Sequence, residues 1–125
     1  MVLDWHARRV VELSLNFFLL NNFPIPDADP ESHPIAARVV EIAGRLAAVD
    51  HRFAEWAAEV GVPVGSAKDP DVKQDLIHEL DACVAHLYGL DEDDLAVIYE
   101  TFDHKDPHRY ADRHAAVLKH FRRIE

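Results

Sequence analysis

Between residues 35 and 60, eight apolar side chains (Ile35, Val39, Ile42, Leu46, Val49, Phe53, Trp56 and Val60) recur at alternating spacings of four and three. A 3.5-residue apolar repeat is the seam of a helix that packs lengthwise on other helices, so it restricts the chain to helix-on-helix architectures. One continuous helix over this stretch would run about 40 Å at 1.5 Å per residue. Pro34 suits its first turn, and Gly61 suits a left-handed stop after its last. The eight residues are the expected packing positions, facing either the rest of the chain or the same seam of a second copy in a homodimer.

The flanks divide the chain into three parts. Residues 1–26 begin with a helical pattern placing Leu3, Ala7, Val10 and Val11 on one face, and end in FPIP, where Pro24 and Pro26 favour extended backbone. Residues 27–34, DADPESHP, form a polar, proline-rich linker. Residues 35–125 form the helical C-terminal domain. There Asp69 with Pro70 starts a helix whose face is Val72, Leu76, Leu80, Val84 and Leu87, and Gly89 ends it. Asp91 caps the next helix, Leu90 and Leu95 stand at the positions of a hydrophobic staple, and Leu95, Ile98, Tyr99 and Phe102 face inward. A last helix presents Tyr110, His114, Val117, Leu118 and Phe121. The expected class is mostly α: a small bundle with one long heptad-patterned helix, an N-terminal helix and a short extended FPIP segment.

At 125 residues, 49% of them hydrophobic, the chain can bury a core without staples. One cysteine, Cys83, builds no disulfide framework, and no apolar run approaches the roughly 18–20 residues that span a bilayer. A cytoplasmic protein is expected. The net charge of −10 argues against a stand-alone nucleic-acid binder. Acidity is concentrated between residues 27 and 106, whereas residues 108–125 carry five Lys/Arg against two acids. An acidic body with a basic tail suits a module that touches DNA at one edge or docks on a basic partner.

Catalytic motifs are missing from the sequence: no phosphate-binding glycine loop, no H-E-x-x-H, no serine elbow. Asp103, His104, Asp106, His108, Asp112 and His114 could converge on a metal, but Pro107 breaks their spacing, and solvated loop histidines are the expectation. His78 and His86 read as helix-surface residues. Arg38, Arg45 and Arg52 stand seven apart beside the apolar seam. They are read as partners of acids such as Asp75, Glu79 or Glu41 in preference to phosphate contacts. Trp5, Phe17, Phe18, Phe53 and Trp56 fall on apolar faces and are expected in the core.

Two stretches carry a further signal. Residues 78–102 read HELDACVAHLYGLDEDDLAVIYETF, and residues 3–26 read LDWHARRVVELSLNFFLLNNFPIP. Both resemble the C-terminal part of large adenine-specific DNA methyltransferases of restriction-modification and phage-defence systems. There a D-A-L-V-A-x-L-Y-G-L run precedes an acidic helix start, and an F-D-W-x-A-R-x-x-V … L-N-F-F … P-I-P segment closes the target-recognition region. Asp4, Trp5, Ala7 and Arg8 match the first half of that segment; Leu15, Asn16, Phe17, Phe18, Pro24 and Pro26 match the second. VVELS departs from the glycines and polar residue that many relatives carry there.

The resemblance implies a non-catalytic C-terminal module that packs on the target-recognition region and assists DNA binding. S-adenosylmethionine is implied only for the parent methyltransferase domain, since neither the cofactor-binding glycine-rich strand end nor the Asn/Asp-Pro-Pro-Tyr/Phe sequence occurs here. The implied partners are that domain or subunit and, through it, DNA. Arg8, Arg9, Arg109, Arg113, Arg122 and Arg123 are the candidate DNA contacts. A free-standing helical interaction module, dimerising through the 35–60 seam, is the alternative, with a metal-dependent hydrolase on residues 104–114 a third reading.

Overall fold

The structure is a computed structural model that describes the backbone of residues 1–10, 21–102 and 107–124, and the side chains of all of these except 107–109. Among the described residues there are six α-helices and no strand: α1 Val2–Val10, α2 Pro34–Ala47, α3 Ala54–Val60, α4 Pro70–Leu87, α5 Glu92–Thr101 and α6 Pro107–Ile124. A 3-10 turn, His51–Phe53, stands between α2 and α3. The mostly α class read from the sequence is the class observed.

Local chemistry fixes α4 and α5 at both ends of their junction. The Asp69 carboxylate accepts the N–H groups of Asp71 and Val72, and Pro70 occupies the first turn, where its missing donor costs nothing. At the other end Gly89 adopts φ 69°, which lets Leu90 N–H reach back to the Ala85 carbonyl and close a Schellman turn. Asp91 and Asp94 then exchange side-chain and backbone hydrogen bonds in a capping box, with Leu95 fully buried one residue on.

The core is built around α4. One side carries Leu76 and Cys83, which pack with Ile42 of α2 and with the half-buried Ile35, Val39, Leu46 and Leu80. The other side carries Ala82 and Ala85, which pack with Leu95 and Tyr99 of α5 and Val117 and Phe121 of α6. Burial pushes the Cys83 thiol up to about 11, so it behaves as a small apolar residue.

The single long helix expected over residues 35–60 is not formed. α2 stops at Ala47, and Ala48 is fully buried with Ala57 and Val62 in a separate small cluster. The carbonyl of Ala48 accepts Gly65 N–H at 2.8 Å, and the Asp50 carboxylate accepts Arg52 N–H. An aspartate that caps a new turn competes with helix continuation, and here tertiary burial favours the break. α3 folds back, and Gly44 receives the returning chain: a Cβ there would meet Val62 Cγ1 at 3.0 Å and Val60 Cγ1 at 3.1 Å.

The break splits the eight seam residues. Ile35, Val39, Ile42 and Leu46 pack on α4, and Val60 joins the small cluster, whereas Val49, Phe53 and Trp56 are 45%, 37% and 41% exposed. Phe53 and Trp56 are therefore not core aromatics. Val72 of α4 and Leu3 and Val10 of α1 are exposed too, and Val2 is the buried residue of α1. Val11, Phe17 and Phe18 lie outside the described residues.

Arg38 forms a two-pronged bond across helices to Glu79, at 2.6 and 2.8 Å, and reaches Glu41 as well. Arg45 instead donates to Ser66 Oγ, Arg52 binds Asp50, and Asp75 pairs with His120. Of the pairings expected for the arginine stripe, those of Arg38 with Glu79 and Glu41 form.

Two predictions follow from this packing. Gly44→Ala gains helix propensity worth about 1 kcal/mol but presses a methyl on two β-branched valines, so urea denaturation should show a net loss of about 1–2 kcal/mol. Arg38 holds the Glu79 carboxyl below its ordinary 4.5, so the bond stabilises the fold above that value and its contribution fades as pH falls through the lower, folded value. Arg38→Met should cost about 1–2 kcal/mol at neutral pH and converge on the parent protein in acid.

Candidate functional site

The two stretches that carried the sequence signal meet in space. The hydroxyl of Tyr88, at the end of α4, donates to the backbone carbonyl of Pro24 across 64 positions of sequence. Val2 of α1 is buried, and Met1 packs against the α4–α5–α6 core. Two apolar clefts flank this contact. One, about 260 Å³, is lined by Leu3, Trp5, Pro24, Leu90 and Val97; the other, about 280 Å³, by Leu3, Ile25, Val40, Val84 and Leu87. Ile25, Val40, Val97 and Leu3 are 67%, 41%, 54% and 39% exposed, so α1 and the FPIP run sit within an apolar surface and not beneath one.

The candidate DNA-contact arginines do not form one row. Arg8 and Arg9 are exposed at the end of α1 and share a cleft with Trp5 and Thr101. Arg8 binds Asp4 at 3.1 Å and lies over the Phe102 ring, while Arg9 lies over Trp5. Arg122 makes a fork on Glu92, at 2.8 and 2.6 Å, and Arg123 is exposed beside it near the end of α6. Arg113 is half-buried and faces a different cavity. The side chain of Arg109 lies outside the described ones, as do Asp103, His104, Asp106 and His108 of the histidine cluster.

His86 is no ordinary surface residue. Its ring stacks on Phe121 with centroids 3.9 Å apart, and its Nε2 meets the Phe121 carbonyl at 2.9 Å. That bond ties α4 to the last turn of α6. His78 is half-buried and bonds to Gln74, and burial lowers its tendency to take a proton.

A polar cavity of about 180 Å³ lies between α1, α4, α5 and α6, lined by residues including Asp4, Asp81, Tyr99, Phe102 and Arg113. Tyr99 is 5% exposed, and neither its hydroxyl nor Arg113 Nε has a hydrogen-bond partner. Asp81 lies 3.6 Å from the Met1 amine, and burial raises its carboxyl above the ordinary range. His114 stacks on the Tyr99 ring; burial lowers its affinity for a proton, and its Nε2 too is unpartnered. None of these groups stands out by motif. The one trace in the sequence is Asp81 itself, an acid set in the apolar row of Ile77 and Ala85.

No family model, curated protein or solved structure matches this chain.

A buried hydroxyl without a partner opposes folding, so its removal should help. Tyr99→Phe is expected to raise stability by about 1 kcal/mol in buffer free of small organic acids. Thermal unfolding followed by circular dichroism checks this, and a loss of stability would mean the hydroxyl has an acceptor in solution.

Proposed function

We propose that this chain is the non-catalytic C-terminal module of an adenine-specific DNA methyltransferase, working in a cytoplasmic setting by packing on the target-recognition region and assisting DNA binding. The observation that carries the reading is the Tyr88–Pro24 hydrogen bond. It joins the two segments whose wording resembles that family, as expected if both belong to one docking unit. The apolar clefts on either side of it, with Leu3, Ile25, Val40 and Val97 exposed, suit a surface covered by the rest of the recognition region. Among the described residues no helix is long and apolar enough to cross a membrane.

The DNA-facing edge in this reading is the end of α1. Arg8 and Arg9 are exposed neighbours on one cleft, whereas Arg122 is engaged by Glu92 and Arg113 faces inward. The acidic body then keeps the module off DNA except where the recognition region carries it.

Fluorescence anisotropy with duplex DNA tests this, using the methyltransferase core encoded beside the chain. Adding the chain should tighten DNA binding by the core, and Ile25→Glu should abolish the gain by blocking docking. Replacing Arg8 and Arg9 by alanine should preserve docking yet lower the slope of log affinity against log salt by about two, one per lost phosphate contact. A core whose DNA affinity ignores the chain would sink the proposal.

A further inference from the structure

We propose that the cavity between α1, α4, α5 and α6 is a binding site for a small carboxylate, independent of the docking surface. Two donors point to it. The Tyr99 hydroxyl, on a residue 5% exposed, and Arg113 Nε both line the cavity and both lack an acceptor. Folded proteins leave few buried polar groups unpaired, and two donors on one small cavity call for an acceptor that the chain does not supply.

The acids nearby are already engaged. Asp4 accepts from Arg8 at 3.1 Å, and Asp81, its side chain 14% exposed, lies 3.6 Å from the Met1 amine. What remains uncompensated is the Arg113 guanidinium, whose planar fork matches a carboxylate. A dianionic phosphate would bring two charges beside Asp4 and Asp81, whereas a monoanion brings one. Ile77 and Phe102 supply an apolar wall for a short aliphatic tail. The volume of about 180 Å³ equals roughly six waters at ~30 Å³ each, enough for an acid the size of propionate and too little for a large ligand.

That carboxylate can belong to a free short-chain acid or to a glutamate side chain of a partner, and the experiment separates them. The ¹H–¹⁵N signal of Arg113 Nε–H is followed while sodium propionate is titrated against sodium chloride at equal ionic strength. A saturable shift is expected, half complete in the low-millimolar range. Propionamide, which lacks the charge, should bind at least about tenfold more weakly. Tyr99→Phe should weaken propionate binding by about tenfold while retaining the helical circular dichroism spectrum, because it removes one of two donors. In Arg113→Met the reporting signal is gone, so binding is read from the Tyr99 ring resonances and should be lost. Binding of N-acetylglutamate amide at least as tight as propionate assigns the acid to a partner's side chain; its exclusion, with propionate still bound, assigns it to a free acid. The site is overturned if the Arg113 signal moves no more with propionate than with chloride. It is equally overturned if Tyr99→Phe and Arg113→Met bind propionate as the parent does.

Discussion

The fold depends on the last two turns of α4 being narrow. Ala82, Cys83 and Ala85 are 0–1% exposed, and their short side chains let other helices close on opposite sides of one helix. α2 seats Ile42 against the Cys83 side, while α5 and α6 seat Leu95, Val117 and Phe121 against Ala82 and Ala85. A larger residue at any of these positions would force a neighbouring helix outward, because interiors at crystal-like packing density cannot absorb added methylenes without strain. The arrangement also explains why α4 does not follow a single-stripe pattern: a helix covered on two sides must be apolar or small around much of its circumference.

Charged and polar bonds hold the outer helices to this axis without forming its core. Arg38 with Glu79 ties α2 to α4, His120 with Asp75 and His86 with the Phe121 carbonyl tie α6 to α4, and Arg122 with Glu92 ties α6 to α5. Each is at least partly exposed, so each adds modestly to stability while fixing how the helices are aligned along one another. The polar cavity is where this scheme is incomplete. Tyr99 and Arg113 bring donors to a buried space whose acids are already paired, and the same helices that make the core dense on one side leave room on the other.

Much of the local structure was legible along the chain. Asp69–Pro70, Gly61, Gly89 and the Asp91 cap with its Leu90/Leu95 staple all mark helix ends where they occur, because caps and stops depend on side chains within a few residues of each other. The inward faces of α5 and α6 were legible for the same reason. The seam over residues 35–60 was not. Its periodicity is genuine as far as Leu46, but Asp50 can cap a new turn, and periodicity does not register that Ala48, Gly65 and Val62 are brought together from across the turn.

The sequence by itself determined the class of fold, where most helices begin and end, and the pair of segments that point toward one enzyme family. These rest on interactions between near neighbours, or on wording that survives without coordinates. Only the tertiary structure decided which apolar residues are spent in the core and which, like Phe53, Trp56 and Ile25, remain on the surface. It alone brought Tyr88 to Pro24 and set Tyr99, Arg113 and Asp81 around one cavity. The physical reason is that burial and pairing are properties of where helices cross, and a crossing is fixed by side-chain volumes on separate elements that no local pattern compares.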